Sequence, residues 1–217
     1  MADILPVVET LADIGTDHGK LLVMLIRNGK IKRGIGVEIV EGPLRRARAN
    51  IEASGLADRI DLREGDGLAP VAPGEVSAYA IAGMGGGAIT GILSRELDKA
   101  KSADWLLLQP MNGESRARHF LQREGWLIEK EDMVADGGKL YQIILAKPGY
   151  MAPLSPAQAA FGPLLLADKK PPVITAIKRE IDKISDIIER LKLSDSRESR
   201  EKIESLTKRK EEWEVLL

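Results

Sequence analysis

The chain has no cysteine and few aromatic residues, with two Phe, three Tyr and three Trp among 217 residues. The absence of cysteine excludes a disulfide scaffold, an iron–sulfur cluster and a thiol nucleophile. No apolar run approaches the roughly 18 residues that a membrane span requires, and the first residues lack the basic-then-apolar order of a signal peptide. We therefore expect a cytoplasmic protein that binds neither a membrane nor a metal ion.

The chain also has almost no net charge, since its 32 Lys and Arg residues nearly balance its 33 Asp and Glu residues. A nucleic-acid partner would have to be held by a local basic patch rather than by an overall field. The apolar share of 44% and the charged share of 30% are typical of a folded globular protein. The length accommodates one α/β domain and a small appendage.

Short β-branched runs alternate with amphipathic stretches between Thr10 and Lys147, which is typical of βαβ units that build a parallel sheet. We expect five parallel strands, each followed by a turn and a helix, at residues 11–15, 34–39, 60–63, 78–82 and 105–109. Residues 126–134 and 140–146 flank a glycine-rich turn and predict an antiparallel hairpin. A Rossmann-like α/β sheet that ends in this way is typical of methyltransferases rather than dehydrogenases.

The last third of the chain has a different pattern. Residues 148–172 contain six prolines and no periodicity, which indicates a crossing segment or linker. Apolar residues then recur at spacings of three and four, the pattern of a coiled-coil helix, at Ile174, Ile177, Ile181, Ile184, Ile188 and Leu191. Asp195 and Glu198 form a helix-start signal before a second stripe. We expect a catalytic domain at 1–150, a linker at 151–172 and an antiparallel helical hairpin at 173–217, with a coiled-coil dimer as the alternative.

The segment Asp13-Ile-Gly-Thr-Asp-His18 lies where the first predicted strand passes into a helix. A glycine turn there lets backbone approach a ligand, and free N–H groups at a helix start attract a negative group. The dinucleotide fingerprint would need glycine at position 17, where this chain has an acid. Asp17 would repel a pyrophosphate but attract a cofactor with an ammonium and a sulfonium. The loop favours S-adenosylmethionine over a nicotinamide cofactor; a turn without a ligand is the alternative.

Two further acids follow predicted strands. Glu38 ends the second strand, at the place where an acid accepts the ribose hydroxyls of a bound nucleotide. In Gly65-Asp66-Gly67, a carboxylate after the third strand is placed to accept from an adenine amino group. The alternatives are a surface glutamate and a plain Asp-Gly turn.

The fourth strand ends in a run with four glycines within five residues, Gly83-Met-Gly-Gly-Gly87. One glycine suffices for a turn, and each additional one costs up to about 1 kcal/mol of chain entropy. We therefore expect the methyl acceptor to meet the cofactor over residues 83–86. Gln109 ends the fifth strand and supplies an amide to the same rim, whereas Asn112 either joins it or caps the next helix.

Taken in order, these motifs resemble the bacterial TrmK-type tRNA methyltransferases, which methylate N1 of adenine 22 in tRNA. The segments that carry the resemblance are Asp13-Ile-Gly-Thr-Asp-His18, Val40-Glu-Gly-Pro43, Gly65-Asp-Gly-Leu68, Ile81-Ala-Gly-Met-Gly-Gly86, Leu108-Gln-Pro110, Gly138-Lys-Leu-Tyr141 and Phe161-Gly-Pro-Leu-Leu165. The resemblance covers nearly the whole chain. It implies a class I methyltransferase sheet, S-adenosyl-L-methionine as cofactor, and a C-terminal coiled-coil hairpin that helps to hold tRNA.

The resemblance also implies roles for individual residues. It assigns the methionine part of the cofactor to Gly15, Asp17 and His18, and the border of the reacting centre to Gly83 and Met84. With the two strand-end acids, the candidate cofactor-binding residues are Asp13, Gly15, Asp17, His18, Glu38, Asp66, Gly67 and Gly83. The candidate catalytic residues are Asp17, Gly83, Met84 and Gln109.

The chain departs from the family pattern in three places. About ten residues precede the first strand, where the family has an additional helix. Met111 stands where Asn is common, and Gln142 stands where Glu is common.

Methyl transfer to adenine N1 needs no general base, because N1 carries a lone pair. We expect alignment and desolvation to supply the acceleration, with Asp17 or a rim amide orienting the adenine amino group. The expected phosphate contacts are Arg45, Arg46, Arg48, Arg116, Arg118, Lys178 and Arg179. The alternatives are a methyltransferase for a protein or small molecule, and a noncatalytic coiled-coil adaptor with a vestigial nucleotide pocket. We favour a monomer.

Overall fold

A computed structural model describes residues 1–194 and 196–217 and contains one mixed sheet of seven strands. The strands are β1 (Val8–Ile14), β2 (Ile31–Glu38), β3 (Ile60–Glu64), β4 (Ala78–Met84), β5 (Trp105–Pro110), β6 (Trp126–Asp136) and β7 (Lys139–Pro148). Their order across the sheet is β3-β2-β1-β4-β5-β7-β6, with β1 to β5 parallel and β7 antiparallel to both of its neighbours. The predicted α/β sheet, with five parallel strands and a terminal antiparallel hairpin, is confirmed.

Nine α-helices lie within the described residues. They are α1 (Lys20–Arg27), α2 (Glu41–Ala53), α3 (Gly86–Arg95), α4 (Leu97–Lys101), α5 (Glu114–Arg123), α6 (Pro156–Phe161), α7 (Pro163–Asp168), α8 (Pro171–Leu191) and α9 (Arg197–Glu214). A short 3-10 turn, Asp17–Gly19, precedes α1.

The sheet buries both of its faces, as parallel strands require. In β5, Leu106 and Leu108 pack into one apolar cluster with α3 and α5, whereas Leu107 packs into a second cluster with α1. Ile4 and Leu5, which precede β1, are buried in the second cluster. The central strands are therefore apolar throughout, and this leaves their carboxyl ends and the following loops to carry polar function.

The C-terminal segment forms a third apolar cluster beside β6 and β7. The apolar stripe of α8 is buried as expected, although Val173 rather than Ile174 begins it. The Trp213 ring, at the end of α9, meets the Phe161 ring edge-on at 4.8 Å between centroids. Because the end of α9 returns to the segment that precedes α8, the two helices form an antiparallel hairpin, as predicted.

The predicted start of α9 is only partly visible. Asp195 lies outside the described residues, and Ser196 caps the helix by accepting from the Ser199 N–H at 3.1 Å. In the part of the chain that the structure describes, no helix is both long and apolar enough to cross a membrane. The same residues contain no cluster of three or more His, Asp or Glu side chains that could hold a metal ion.

Candidate active site

The sheet topology creates a crevice at the carboxyl ends of β1 and β4. The chain runs outward from β1 to β3 and then returns to place β4 on the other side of β1, so the strand order reverses between them. Ligands of open α/β sheets bind at such a reversal, outside the carboxyl ends of the strands. The loops after β1, β2, β4 and β5 all reach this edge.

The loop after β1 turns sharply, with positive φ at Gly15 (78°) and His18 (60°). The N–H groups of Gly15 and Thr16 both donate to the Val37 carbonyl, at 2.8 and 3.0 Å, and two further N–H groups of residues 17–19 donate within the loop. Four N–H groups of the loop are therefore already used within the chain, whereas the expectation of free N–H groups at the start of α1 stays a prediction. The occupied groups, beside an acidic side chain, favour a cationic ligand.

Asp13 is the buried acid beneath this loop, at the end of β1. Burial raises the pKa of the Asp13 carboxyl from 3.8 to about 6, the nearby Thr16 hydroxyl lowers it, and the Glu38 carboxylate raises it further. The Thr16 hydroxyl is itself fully buried and makes no hydrogen bond of normal geometry, so its effect on Asp13 is the weaker one. A cation near this carboxyl would favour its ionised form.

The two acids after β2 and β3 each have a partner within the chain. Oε1 of Glu38 accepts from the N–H groups of Ile39 and Val40, both at 2.9 Å, and the other oxygen has no hydrogen bond to the described residues. Asp66 forms a two-point ion pair with Arg95, at 2.9 and 3.0 Å. Glu38 thus keeps one oxygen for a ligand, whereas a ligand would have to share Asp66 with Arg95. Ile39 and Val40 are more than half exposed beside Glu38.

Asp17 lies on the outer side of the first loop, close to the side chains of His18 and Arg46. Its Oδ1 is 3.4 Å from His18 Nε2 and 3.5 Å from an Arg46 guanidinium nitrogen. All three side chains are substantially exposed, so these pairs contribute little stability and are readily rearranged. Arg46, expected to contact phosphate, therefore reaches the loop after β1 of its own chain.

The glycine run after β4 has a structural reason that the sequence did not reveal. The Gly86 N–H donates to the Asn112 carbonyl at 2.8 Å, and a Cβ at Gly86 would collide with the Gly113 backbone. A Cβ at Gly85 would lie 3.0 Å from the Asn112 side-chain oxygen. At Gly85 and Gly86 the group that approaches the backbone is therefore the chain's own β5–α5 loop. The expectation that the acceptor meets the cofactor over residues 83–86 stays a prediction.

Gly83 differs from its neighbours. It is exposed, has a φ of 73°, and an added Cβ would meet no atom within 4 Å. Its N–H donates to Gln109 Oε1 at 3.0 Å, and Gln109 Nε2 donates to the Pro110 carbonyl at 3.0 Å. A Cβ at Gly15 would collide with the Met84 methyl group. Gly83 therefore offers open space at the reversal point, between two loops held in close contact.

The Gln109 side chain holds the rim through several contacts. Besides its bonds to the Gly83 N–H and the Pro110 carbonyl, its Nε2 lies 3.7 Å from Met111 Sδ, so its role toward an acceptor stays a prediction. Asn112 is exposed at this rim, and α5 begins after Gly113 with no side-chain cap. The alternative role of Asn112 as a helix cap is therefore not seen, and its side chain lines the groove beside the rim.

A groove of about 650 Å³ leads from this rim to the helical hairpin. Its walls include Asn112 at the site, Tyr141 on β7, Arg179 and Lys183 on α8, and Trp213 on α9. The volume falls within the range of small-ligand and nucleotide sites. A cavity of about 350 Å³ at the opposite edge of the sheet is lined by side chains such as Arg63 and Glu75 that already pair with each other.

Of the basic residues expected to contact phosphate, Arg118 is the clear error. Its side chain is fully buried and pairs with Glu131 at 2.8 Å, so no nucleic acid can reach it. The buried stripe of α5, which includes Ala117 and Leu121, could have revealed this position through helical periodicity. The other expected phosphate contacts are exposed; they are Arg45, Arg46, Arg48, Arg116, Lys178 and Arg179. Arg179 also donates to the Gly138 carbonyl at 3.0 Å, which ties α8 to the β6–β7 turn.

A seven-stranded sheet with this order, an acid-lined edge at the reversal point and an open glycine beside it define a Rossmann-like class I methyltransferase. Comparisons with known proteins specify the family. The family model of TrmK, tRNA (adenine(22)-N(1))-methyltransferase, matches residues 11–212. The chain belongs to this family and is an enzyme.

Individual relatives agree with this assignment. The tRNA (adenine(22)-N(1))-methyltransferase of Bacillus subtilis is 31% identical over 97% of this chain and 91% of its own length. The crystal structure of Sp1610 from Streptococcus pneumoniae is 33% identical, with a TM-score of 0.91 over all of this chain and 96% of that chain. A second crystal structure of Sp1610, in complex with S-adenosyl-L-methionine, is 34% identical, with a TM-score of 0.84 over 95% of this chain and 94% of that chain.

Proposed function

We propose that this enzyme transfers a methyl group from S-adenosyl-L-methionine to N1 of adenine 22 in tRNA. The observation that carries the proposal is the open, left-handed Gly83 at the strand reversal, facing a loop whose acids suit a cationic donor. The family membership supplies the acceptor, and the relative solved with S-adenosyl-L-methionine supports the donor.

Different residues at the strand ends are suited to different parts of the donor: its cationic groups, its ribose and its adenine. Asp13 and Asp17 lie where they favour the positive ammonium and sulfonium groups. The free oxygen of Glu38 is suited to ribose hydroxyls, and the exposed apolar side chains of Ile39 and Val40 are suited to the adenine face. When bound, S-adenosyl-L-methionine supplies an electrophilic methyl group on sulfur. Each of these assignments is a proposal about an individual residue.

The reaction requires alignment more than proton transfer. The lone pair of adenine N1 forms the new bond to the methyl carbon while the bond from that carbon to sulfur breaks, so the sulfur becomes neutral and the adenine becomes cationic. No proton leaves the reacting atoms in this step. Gln109 fixes the Gly83 backbone, and Asn112 offers an amide that can orient the adenine edge. Correct orientation can lower a barrier by roughly 7 to 11 kcal/mol in favourable systems.

We assign tRNA to the face that joins the rim to the hairpin. The groove connects Asn112 with Arg179 and Lys183, and Lys178 and Arg116 are exposed basic residues on α8 and α5. These charges suit phosphates, and a target base inside a folded tRNA would have to be turned outward to reach Gly83. We propose a catalytic unit at 1–150, a connecting segment at 151–172 and a tRNA-holding hairpin at 173–217, in a monomeric cytoplasmic enzyme.

The test is methyl transfer from labelled S-adenosyl-L-methionine to an unmodified tRNA transcript, followed by mapping of the modified nucleoside. We expect 1-methyladenosine at position 22 and no label in a matched transcript with guanosine at that position. Label in both transcripts, or in neither, would contradict the proposal. A panel of proteins and metabolites in the same assay separates the alternative methyltransferase. Calorimetry with the donor separates the noncatalytic adaptor, which would bind none.

A further inference from the structure

The Arg118 side chain is buried at the centre of a hydrogen-bonded cluster. Its Nε and Nη2 atoms both lie 2.8 Å from Glu131 Oε1, and Nη2 lies 2.6 Å from Gln142 Oε1. These three side chains come from α5, β6 and β7 and are each less than a tenth exposed. The cluster therefore joins the last helix and the last two strands of the catalytic sheet.

The same cluster binds the backbone of the segment that leads to the hairpin. Arg118 Nη1 donates to the carbonyls of Ala159 and Ala160 on α6, at 3.0 and 3.4 Å. Glu131 Oε2 accepts from the Leu164 N–H at the start of α7, at 2.9 Å. One charged pair thus fixes both helices that connect the sheet to α8.

The residue between these two helices, Gly162, has no room for a side chain. Gly162 has a φ of 95°, and a Cβ there would lie 2.6 Å from Glu131 Oε2 and 2.8 Å from Arg118 Nη2. The preceding residue, Phe161, holds the Trp213 ring edge-on at 4.8 Å. The contacts run without interruption from Arg118 through Phe161 to the end of α9.

The groove that leads to the active-site rim is built on this cluster. The groove is lined by Gln142, Ala160, Phe161 and Trp213, and also by Asn112 at the rim. A change in the direction of α6 would therefore move the groove wall and the exposed basic residues of α8 relative to Gly83.

We infer that Arg118 is a positioning residue for methyl transfer: with Glu131 it forms a joint that sets the orientation of the helical hairpin relative to the active site. The inference rests on the proposed function in its assignment of tRNA to the hairpin. A buried ion pair is a poor device for stability alone, because apolar residues of the same volume often serve equally well. Its directional bonds to two backbone carbonyls and one N–H fix an angle, which an apolar contact does not do.

The experiment compares Arg118→Met/Glu131→Gln with the wild type and with Arg123→Met. The double variant removes both buried charges while keeping an acceptor for the Leu164 N–H, so it avoids an unpaired carboxylate. Arg123 lies on the same helix but is exposed and pairs with its neighbour Glu124, which makes it the matched control. Each protein is assayed for thermal stability, donor affinity, and KM and kcat with tRNA.

Distances provide a readout that does not depend on activity. The chain has no cysteine, so Asp98→Cys on α4 and Glu204→Cys on α9 give two unique positions for spin labels. Both residues are exposed and lie outside the proposed machinery. We expect a narrow distance distribution in the wild type and in the Arg123 variant, and a broad or displaced one in the double variant.

For the double variant we also expect KM for tRNA to rise about tenfold or more, with donor affinity and kcat at saturating tRNA changed less than about threefold. A distance distribution or a KM that stays at the wild-type value would overturn the inference, whatever the change in stability. A wild-type enzyme without activity on tRNA would contradict the proposed function instead. The distance measurement alone would then test whether Arg118 and Glu131 set the orientation of the hairpin.

Discussion

Replacement of the buried Asp13 by asparagine should stabilise the ligand-free enzyme, and the gain should depend on pH. The carboxyl is 6% exposed, and burial raises its pKa from 3.8 to about 6. Because the folded-state pKa is the higher one, the stability linked to this group is fully present below about pH 4 and is lost as pH rises through about 6. Asparagine has a similar shape and carries no charge at any pH.

The size of the gain follows from the pKa difference. Each pKa unit corresponds to about 1.4 kcal/mol, so a rise of about two units costs the ionised wild type about 3 kcal/mol at pH 8. At pH 5 the carboxyl is mostly protonated in the folded state, and the cost is about 1.5 kcal/mol. The advantage of Asp13→Asn should therefore roughly double between about pH 5 and about pH 8.

Denaturant unfolding of the wild type and Asp13→Asn at several pH values measures this directly. Glu9→Gln is the matched control, because Glu9 is an exposed acid on the same strand, paired with Lys32 at the surface. Its effect should stay within about 0.5 kcal/mol at every pH. An Asp13 variant that is less stable than the wild type at pH 8, or whose advantage does not change with pH, would refute the reasoning.

Three further outcomes follow from the site and the hairpin. Donor affinity of the wild type should fall about tenfold between about pH 8 and about pH 5, because protonated Asp13 no longer attracts a cation, and calorimetry measures it. Gly86→Ala should lose about 2 kcal/mol of unfolding free energy, because its Cβ meets the Gly113 backbone. Gly83→Ala should lose about 1 kcal/mol, the cost of a left-handed alanine, and should weaken donor binding more than Gly86→Ala does. Trp213→Ala should lose about 3 kcal/mol, because it removes a buried side chain and leaves a cavity beside Phe161.

Each of these has a result that would count against it. An unchanged donor affinity across the pH range would remove Asp13 from the site. Equal losses of stability for Gly86→Ala and Gly83→Ala would show that the contact between Gly86 and the Gly113 backbone can open without a measurable cost. A Trp213 variant as stable as the wild type would show that the hairpin base does not depend on this residue.

Much of the fold was predictable from the sequence, because each signal was local. The alternation of β-branched runs with amphipathic stretches predicted β1 to β5 to within a few residues, since parallel strands are apolar on both faces. The glycine-rich turn between two alternating runs predicted β6 and β7. The stripe at Ile177, Ile181, Ile184 and Ile188 likewise predicted the buried face of α8. Patterns of this kind depend on periodicity alone.

The sequence was less informative where residues distant along the chain meet. The glycines at 85 and 86 accommodate the chain's own loop at residues 112–113, and no local pattern reports that approach. The stripe of α5 does place Arg118 on the buried face, but the partners that allow a cation to be buried there, Glu131 and Gln142, lie 13 and 24 residues away. The single-residue assignments at the site depend on such distant partners and remain predictions.

The central claim is that the methyl donor lies at the carboxyl edge of β1 and β4, and a crystal structure of the enzyme with S-adenosyl-L-methionine tests it most directly. The account predicts the sulfonium beside the Asp13–His18 loop, a ribose on Glu38 and the methyl group directed to the open side of Gly83. A donor bound instead in the cavity lined by Arg63 and Glu75 at the opposite edge, or one whose methyl group points away from Gly83, would contradict it.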